Sequence, residues 1–185
     1  ILTIVFLGIF FYSMYELGGI FMDYYENRKV MAEAQHIYKR SPMEEKSENG
    51  EVRKQFQDLQ KINPEIVGWI TMDDTQINYP IVQAKDNDYY LFRNYKGEDM
   101  RAGSIFMDHR NDVKSQNRNT ILYGHRMKDG SMFGSLKKKL DIYLFYTQTF
   151  HSMYLPKGNK NMSSCSGIFI KFIINNPQIK KNTNV

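Results

Sequence analysis

The first 22 residues limit this chain more than any other stretch. Ile1 to Met22 is apolar almost throughout, with Glu16 as its sole charge. A helix of about 20 such residues spans the hydrocarbon core of a bilayer. A cleaved signal peptide is the competing reading. It fits less well, because the run is long and no small-x-small cleavage site comes after it. Residues 1–22 therefore read as a transmembrane anchor. Position 1 is Ile, so the chain is expected to continue upstream, and the flanking charges that would orient the helix cannot be read.

The 185 residues leave room for one domain beside this segment. The formal charge is +5, with a pI near 9.1, and the cations are scattered. No cluster is denser than Lys137-Lys138-Lys139, and no aromatic motif is interleaved with it, which argues against nucleic-acid binding. One cysteine, Cys165, excludes an intrachain disulfide and a cysteine zinc site. His36, His109, His125 and His151 form no HxxxH pair. No metal site and no cofactor are expected.

Residues 23–61 turn charged and read as a helical stalk. Tyr24 to Lys39 carries Val30, Ala34 and Ile37 at helical spacing, and Ser41-Pro42 should end that helix. A second helix is expected from Glu51 to Ile62, with Val52, Phe56, Leu59 and Ile62 on one stripe that packs on the domain beyond it. A β-rich domain is expected over 62–141. Ile66 to Met72 and Ile77 to Val82 read as a hairpin around Asp73-Asp74-Thr75, with Pro80 pushing the second strand towards an edge or a bulge. Asp86 to Tyr95 reads as a short helix capped at Asp86 or Asn87, and Gly103 to Met107 as another strand. Short strands, turns and few helices point to a β-barrel or sandwich.

Thr120 to Tyr123 then reads as a buried strand stopped by Gly124, which would let the His125 imidazole emerge at the strand's end. Ser131 is placed to cap a helix running through Leu136. A histidine so placed can transfer protons or stabilise charge. A plain surface histidine in a loop is the alternative. The composition shifts after Asp141: all 20 acidic residues precede position 142, where about six more would be expected at the earlier density. Residues 142–185 are either a strand-rich half with an unusual surface or the product of a shifted reading frame.

Ile62-Asn63-Pro64-Glu65-Ile66-Val67-Gly68-Trp69-Ile70, Asn78-Tyr79-Pro80-Ile81-Val82-Gln83 and Gly103-Ser104-Ile105-Phe106-Met107-Asp108 resemble blocks of the class B sortases. Asn119 to His125 followed by Met127 to Phe133 does so most strongly. The resemblance covers a little under half the chain. It implies a membrane-anchored cysteine transpeptidase of Gram-positive bacteria, built on a β-barrel preceded by helices, with a Cys-His-Arg site. Such an enzyme cleaves an Asn-Pro-x-Thr-x sorting signal through a thioacyl intermediate. The amine of a peptidoglycan cross-bridge resolves that intermediate on the outer face of the membrane.

By its place in the motif His125 is the family's histidine, and Asn87 and Leu91 match positions bordering the peptide groove. A helix cap and a core leucine are the plainer readings of those two. A thiol with a pKa near 8.5 needs such an imidazolium partner, and an arginine stabilises the oxyanion. The family's cysteine lies in a Thr-Leu-x-Thr-Cys strand, more than twice as far from the histidine as the 40 residues between His125 and Cys165. Here the context is Asn161-Met162-Ser163-Ser164-Cys165-Ser166, and no arginine occurs after Arg126 within the chain. Lys171 lacks an arginine's planar fork. Cys165 reads as adventitious, the barrel as incomplete and transpeptidation as impaired. An enzyme using Cys165 and a non-catalytic membrane-anchored module that keeps the peptide groove are the rivals.

Overall fold

Helix α1 (Leu2–Arg40) runs unbroken for 39 residues, and the break expected at Ser41-Pro42 lies outside the described residues. The computed structural model describes residues 2–40, 52–113, 120–138, 152–154 and 168–173, with side chains through 2–40, 52–113 and 120–136. No break in α1 coincides with the boundary expected at 22/23. What changes there is the surroundings of the helix. Residues 2–22 are exposed throughout and pass the length and composition requirements for crossing a membrane. From Asp23 onward the helix lies on the domain and buries Asn27, Met31, Ala34 and Tyr38. Those four recur every three or four residues and form one stripe. The expected Val30 and Ile37 flank the stripe, half-buried.

Helix α2 (Lys54–Ile62) starts later than expected and sets Phe56 and Leu59 into the core. Ile62 is not the fourth member of its stripe, because it is 41% exposed. The chain turns inward one residue later. Buried Asn63 Nδ2 donates to Tyr90 Oη and to Tyr95 O, both at 2.7 Å, while its Oδ1 accepts from Glu65 N at 2.9 Å. A buried amide so satisfied fixes the entry into the sheet. Tyr38 stacks on Trp69 with ring centroids 4.1 Å apart and meets Phe56 edge-on at 5.6 Å, which locks both helices to the first strand.

The sheet is mixed, in the order β5-β1-β2-β3-β4-β6. Strands β1 (Ile66–Thr71) and β2 (Asn78–Val82) form the expected antiparallel hairpin. Its turn is closed by Met72 N to Ile77 O at 3.1 Å and by the Thr75 hydroxyl donating to Met72 O at 2.7 Å. Strand β2 also pairs in parallel with β3 (Ile105–Met107), so it is interior and not an edge. Pro80 is tolerated there because β3 is short and pairs only with Ile81 and Val82. Proline's missing donor therefore falls outside that ladder. The bulge lies instead in β1, between Ile66 and Gly68.

Strand β3 pairs antiparallel with β4 (Thr120–His125), and β4 pairs in parallel with β6 (Ile168–Ile173). At the other side β5 (Ser152–Tyr154) pairs antiparallel with β1. No pairing joins β5 to β6 among the described residues, so the sheet stays open. Two local expectations fail. Asp86 to Tyr95 holds only a 3-10 turn at Tyr89–Leu91, because the chain folds back on itself through Asn94, whose carbonyl accepts from Gly97 N at 2.9 Å. Ser131 caps no α-helix. It sits buried in a turn and donates to Asp129 Oδ1 at 2.7 Å, and a 3-10 helix comes next at Gly134–Lys138.

Candidate active site

Gly124 does not stop β4, which continues to His125. A Cβ at Gly124 would lie 2.4 Å from Ile105 Cδ1 and 2.7 Å from Phe133 Cδ2, so glycine is present because two core side chains press against its Cα. The two faces of β4 alternate. Leu122 and Gly124 face Ile105 and the core, whereas Tyr123 and His125 share the opposite face. Phe133 N donates to His125 O at 3.0 Å and Arg126 bridges to Met132, which folds the next turn back on the strand end.

His125 does not emerge into solvent: it is 1% exposed. Its ring lies 5.5 Å from that of Phe92, tilted by 48°. Phe92 is itself 41% exposed and covers the imidazole like a shutter on one side.

On the same face a second group gathers around Asp108, the residue after β3. Its carboxylate is buried and accepts from five donors. Arg110 supplies its backbone N and Nε at 2.9 Å to Oδ1 and Nη2 at 2.8 Å to Oδ2. Tyr123 Oη reaches Oδ2 at 2.7 Å and Asn87 Nδ2 at 3.2 Å. The Arg110 hydrogen bonds in particular hold the Asp108 carboxyl well below the usual carboxylate range. Asp108 is thus a fixed anion and a hydrogen-bond acceptor at neutral pH, unsuited to act as a base. Desolvation and the hydrogen bond to this carboxylate push the Tyr123 phenol up.

Asn87 therefore stands where a groove residue was expected, with its amide already engaged: Nδ2 on Asp108 and Oδ1 accepting from His109 N at 3.0 Å. Asp88 is the N-cap of the 3-10 turn and makes no side-chain capping bond; before it, Asp86 Oδ1 accepts from Asp88 N at 2.9 Å and Tyr89 N at 2.8 Å. Leu91 is half-buried against the core, one residue before Phe92. The fold thus brings Asn87 to Asp108 and Phe92 to His125, with Leu91 between them in the chain. Asp108, Tyr123 and Phe92 were not anticipated. The polar run Asp108-His109-Arg110-Asn111 directly after an apolar strand was the available signal, since a carboxylate two residues before an arginine can close on it.

Cys165 lies outside the described residues, as does most of 142–185. The backbone of β6 is described, and its register sets Thr120 opposite Ile168 and His125 opposite Ile173. Where β6 passes His125 the sequence supplies isoleucine. Among the described residues no group of three or more His, Cys, Asp or Glu could hold a metal ion.

Residues 70–154 match the sortase domain family. The chain is 50% identical over 143 residues to a sortase B of Listeria monocytogenes, a match covering 76% of this chain and 56% of that protein. It superposes on the crystal structure of sortase B from B. anthracis in complex with AAEK1 at a TM-score of 0.65. There the identity is 80%, over 74% of this chain and 63% of that one. A Staphylococcus aureus sortase B–substrate complex is similar at a TM-score of 0.55 and 39% identity, over 64% of this chain and 54% of that one. With these matches, the mixed sheet and the helix laid across it place the chain among the sortases, a family of cysteine transpeptidases. Within that family the chain belongs to class B. It spans little more than half the length of the curated relatives it matches.

Proposed function

We propose that this chain is the membrane-anchored histidine half of a class B sortase site. It receives an Asn-Pro-x-Thr-x sorting signal on the face that carries Asn87, Leu91 and His125. The observation that carries this reading is the placement of His125 at the end of β4, buried under Phe92, in a chain 80% identical to a solved sortase B. In the full reaction a thiolate attacks the threonine carbonyl and the His125 imidazolium donates a proton to the departing amine. The amine of a peptidoglycan cross-bridge then takes the acyl group. A water-poor pocket suits this role, because burial strengthens the coupling between an imidazolium and a thiolate. The apolar start of α1 supports single-pass anchoring, and placing the domain outside the cell follows from the sortase reading alone.

Residues 142–185 hold neither the Thr-Leu-x-Thr-Cys context nor an arginine, and Ile173 occupies the register position beside His125. That same register favours a second reading, a non-catalytic module that binds the peptide without chemistry.

Incubating the full chain in detergent with an Asn-Pro-x-Thr-x peptide separates the readings. Intact-mass spectrometry should show no thioacyl adduct, while fluorescence anisotropy reports peptide binding that weakens in Asn87→Ala. An adduct that vanishes in Cys165→Ala would establish a working enzyme. Absence of peptide binding would remove the groove reading altogether.

A further inference from the structure

Helix α1 contains both the apolar segment and the docked segment, so its contacts measure how far each part of the domain stands from Met22. At Asp23, the first residue beyond that segment, the carboxylate meets Arg101 Nη1 at 3.4 Å. One turn on, Asn27 Nδ2 donates to Ser131 Oγ and Arg28 Nη2 to Asp129 Oδ2, each at 3.3 Å. Glu33 then meets Lys96 Nζ at 2.7 Å, Gln35 Nε2 donates to Asn78 O at 2.9 Å, and Tyr38 stacks on Trp69. Asp23 and Tyr38 stand about 22 Å apart along the axis at 1.5 Å per residue.

The His125 end is the near end. Phe92, which covers His125, lines a recess of about 290 Å³ together with Asp23, Glu26, Asp99, Met100 and Arg101. A headgroup layer is roughly 6 Å deep, about four residues of helix. If Met22 marks the hydrocarbon edge, Asp23 to Glu26 and the recess they line fall within that layer. The side chains fit such a place. Outside α1, the exposed large apolar side chains among the described residues are Ile62, Tyr89 and Phe92, and two of these three lie in this turn. Arg93 sits over the Tyr89 ring at 4.6 Å. Aromatic rings with arginines are characteristic of the water–lipid boundary.

We propose that Tyr89, Phe92, Arg93 and Arg101 form a face that rests on the lipid headgroups. Helix α1 is then a stiff strut holding the His125 end of the domain against the bilayer. The proposal rests on the reading of α1 as a membrane helix. It goes beyond anchoring, because a flexible tether would leave the domain free to turn any face to the lipid.

The test uses the full chain in nanodiscs on a Cys165→Ser background. A fluorophore is attached at Tyr89→Cys or, as the distant control, at Gln57→Cys on the exposed side of α2, and quenched by lipids carrying a headgroup nitroxide. Quenching severalfold stronger at position 89 than at 57 is expected. A flexible Gly-Ser insertion between Met22 and Asp23 should erase most of the difference. Equal quenching at both positions in a chain that resists carbonate extraction would overturn the proposed face and leave the anchor standing. Extraction by carbonate would overturn both. Energy transfer between labelled copies in place of lipid quenching would assign the face to a second copy of the chain and overturn the proposal.

Discussion

The two ends of the docked part of α1 meet the domain by different means. At Tyr38 the contact is dry and aromatic: Trp69 is fully buried, stacked on one ring and bonded through Nε1 to Asn78 Oδ1 at 2.8 Å. At Asp23 to Arg28 the contacts are exposed ion pairs and one polar tie to Ser131. Burial of apolar surface contributes far more than exposed charge pairing. The far end therefore holds the fold together, and the near end, where His125 and the open recess lie, is left adjustable. Such a division lets the near face reorganise without unfolding its support.

The difference can be broken at either end. Trp69→Ala should have the largest effect, about 3–5 kcal/mol, since it opens a cavity under Tyr38 and strands Asn78. Denaturant unfolding should show a large drop in midpoint, and a drop under about 1 kcal/mol would mean that the aromatic stack is not the fastening.

Asp108→Asn comes next, at roughly 1.5–3 kcal/mol, the range for hydrogen bonds to a charged group. It also has a pH signature. The folded carboxyl titrates below its unfolded value, so the stability it contributes is complete above about pH 4 and is lost as the pH falls towards the folded pKa. The gap between wild type and Asp108→Asn should therefore narrow from about pH 4 to about pH 2. A constant gap would assign the loss to packing alone.

Phe92→Ala should cost only about 1 kcal/mol, because the ring is partly exposed. It should nevertheless open His125 to solvent, read as faster modification of the imidazole by diethyl pyrocarbonate. Unchanged reactivity would mean that Phe92 does not cover it. Arg28→Ala should cost least, under about 0.5 kcal/mol, as an exposed pair usually does. A larger loss would erase the contrast between the two ends.

Sequence patterns were reliable where local chemistry decides the outcome. The hairpin came from two apolar runs around Asp73-Asp74-Thr75. They misled where a neighbour overrides local preference. Gly124 reads as a breaker until Ile105 and Phe133 are seen pressing on it. Pro80 reads as an edge residue until β3 proves too short to reach it. The Asp86 to Tyr95 segment opens on an Asp86 side-chain turn, yet its backbone turns back through Asn94 before a second helical turn can form. At the candidate site, the position of His125 was legible from the motif. Its burial was not, since Phe92 arrives from a turn 33 residues earlier. In the Asp108 cluster the Asp108–Arg110 pair could be read from its i, i+2 spacing, but Asn87 and Tyr123 come from two other segments that no spacing announces.

The central proposal is that His125 holds the histidine position of a sortase site and that Cys165 is not coupled to it. The rate of Cys165 alkylation by iodoacetamide across about pH 5–10, in the full chain and in His125→Gln, tests this most directly. An ordinary thiol is expected, with an apparent pKa near about 8.5, reacting alike in both proteins. A thiol activated well below that value, and restored to it by His125→Gln, would show a working Cys-His pair and contradict this reading of the site.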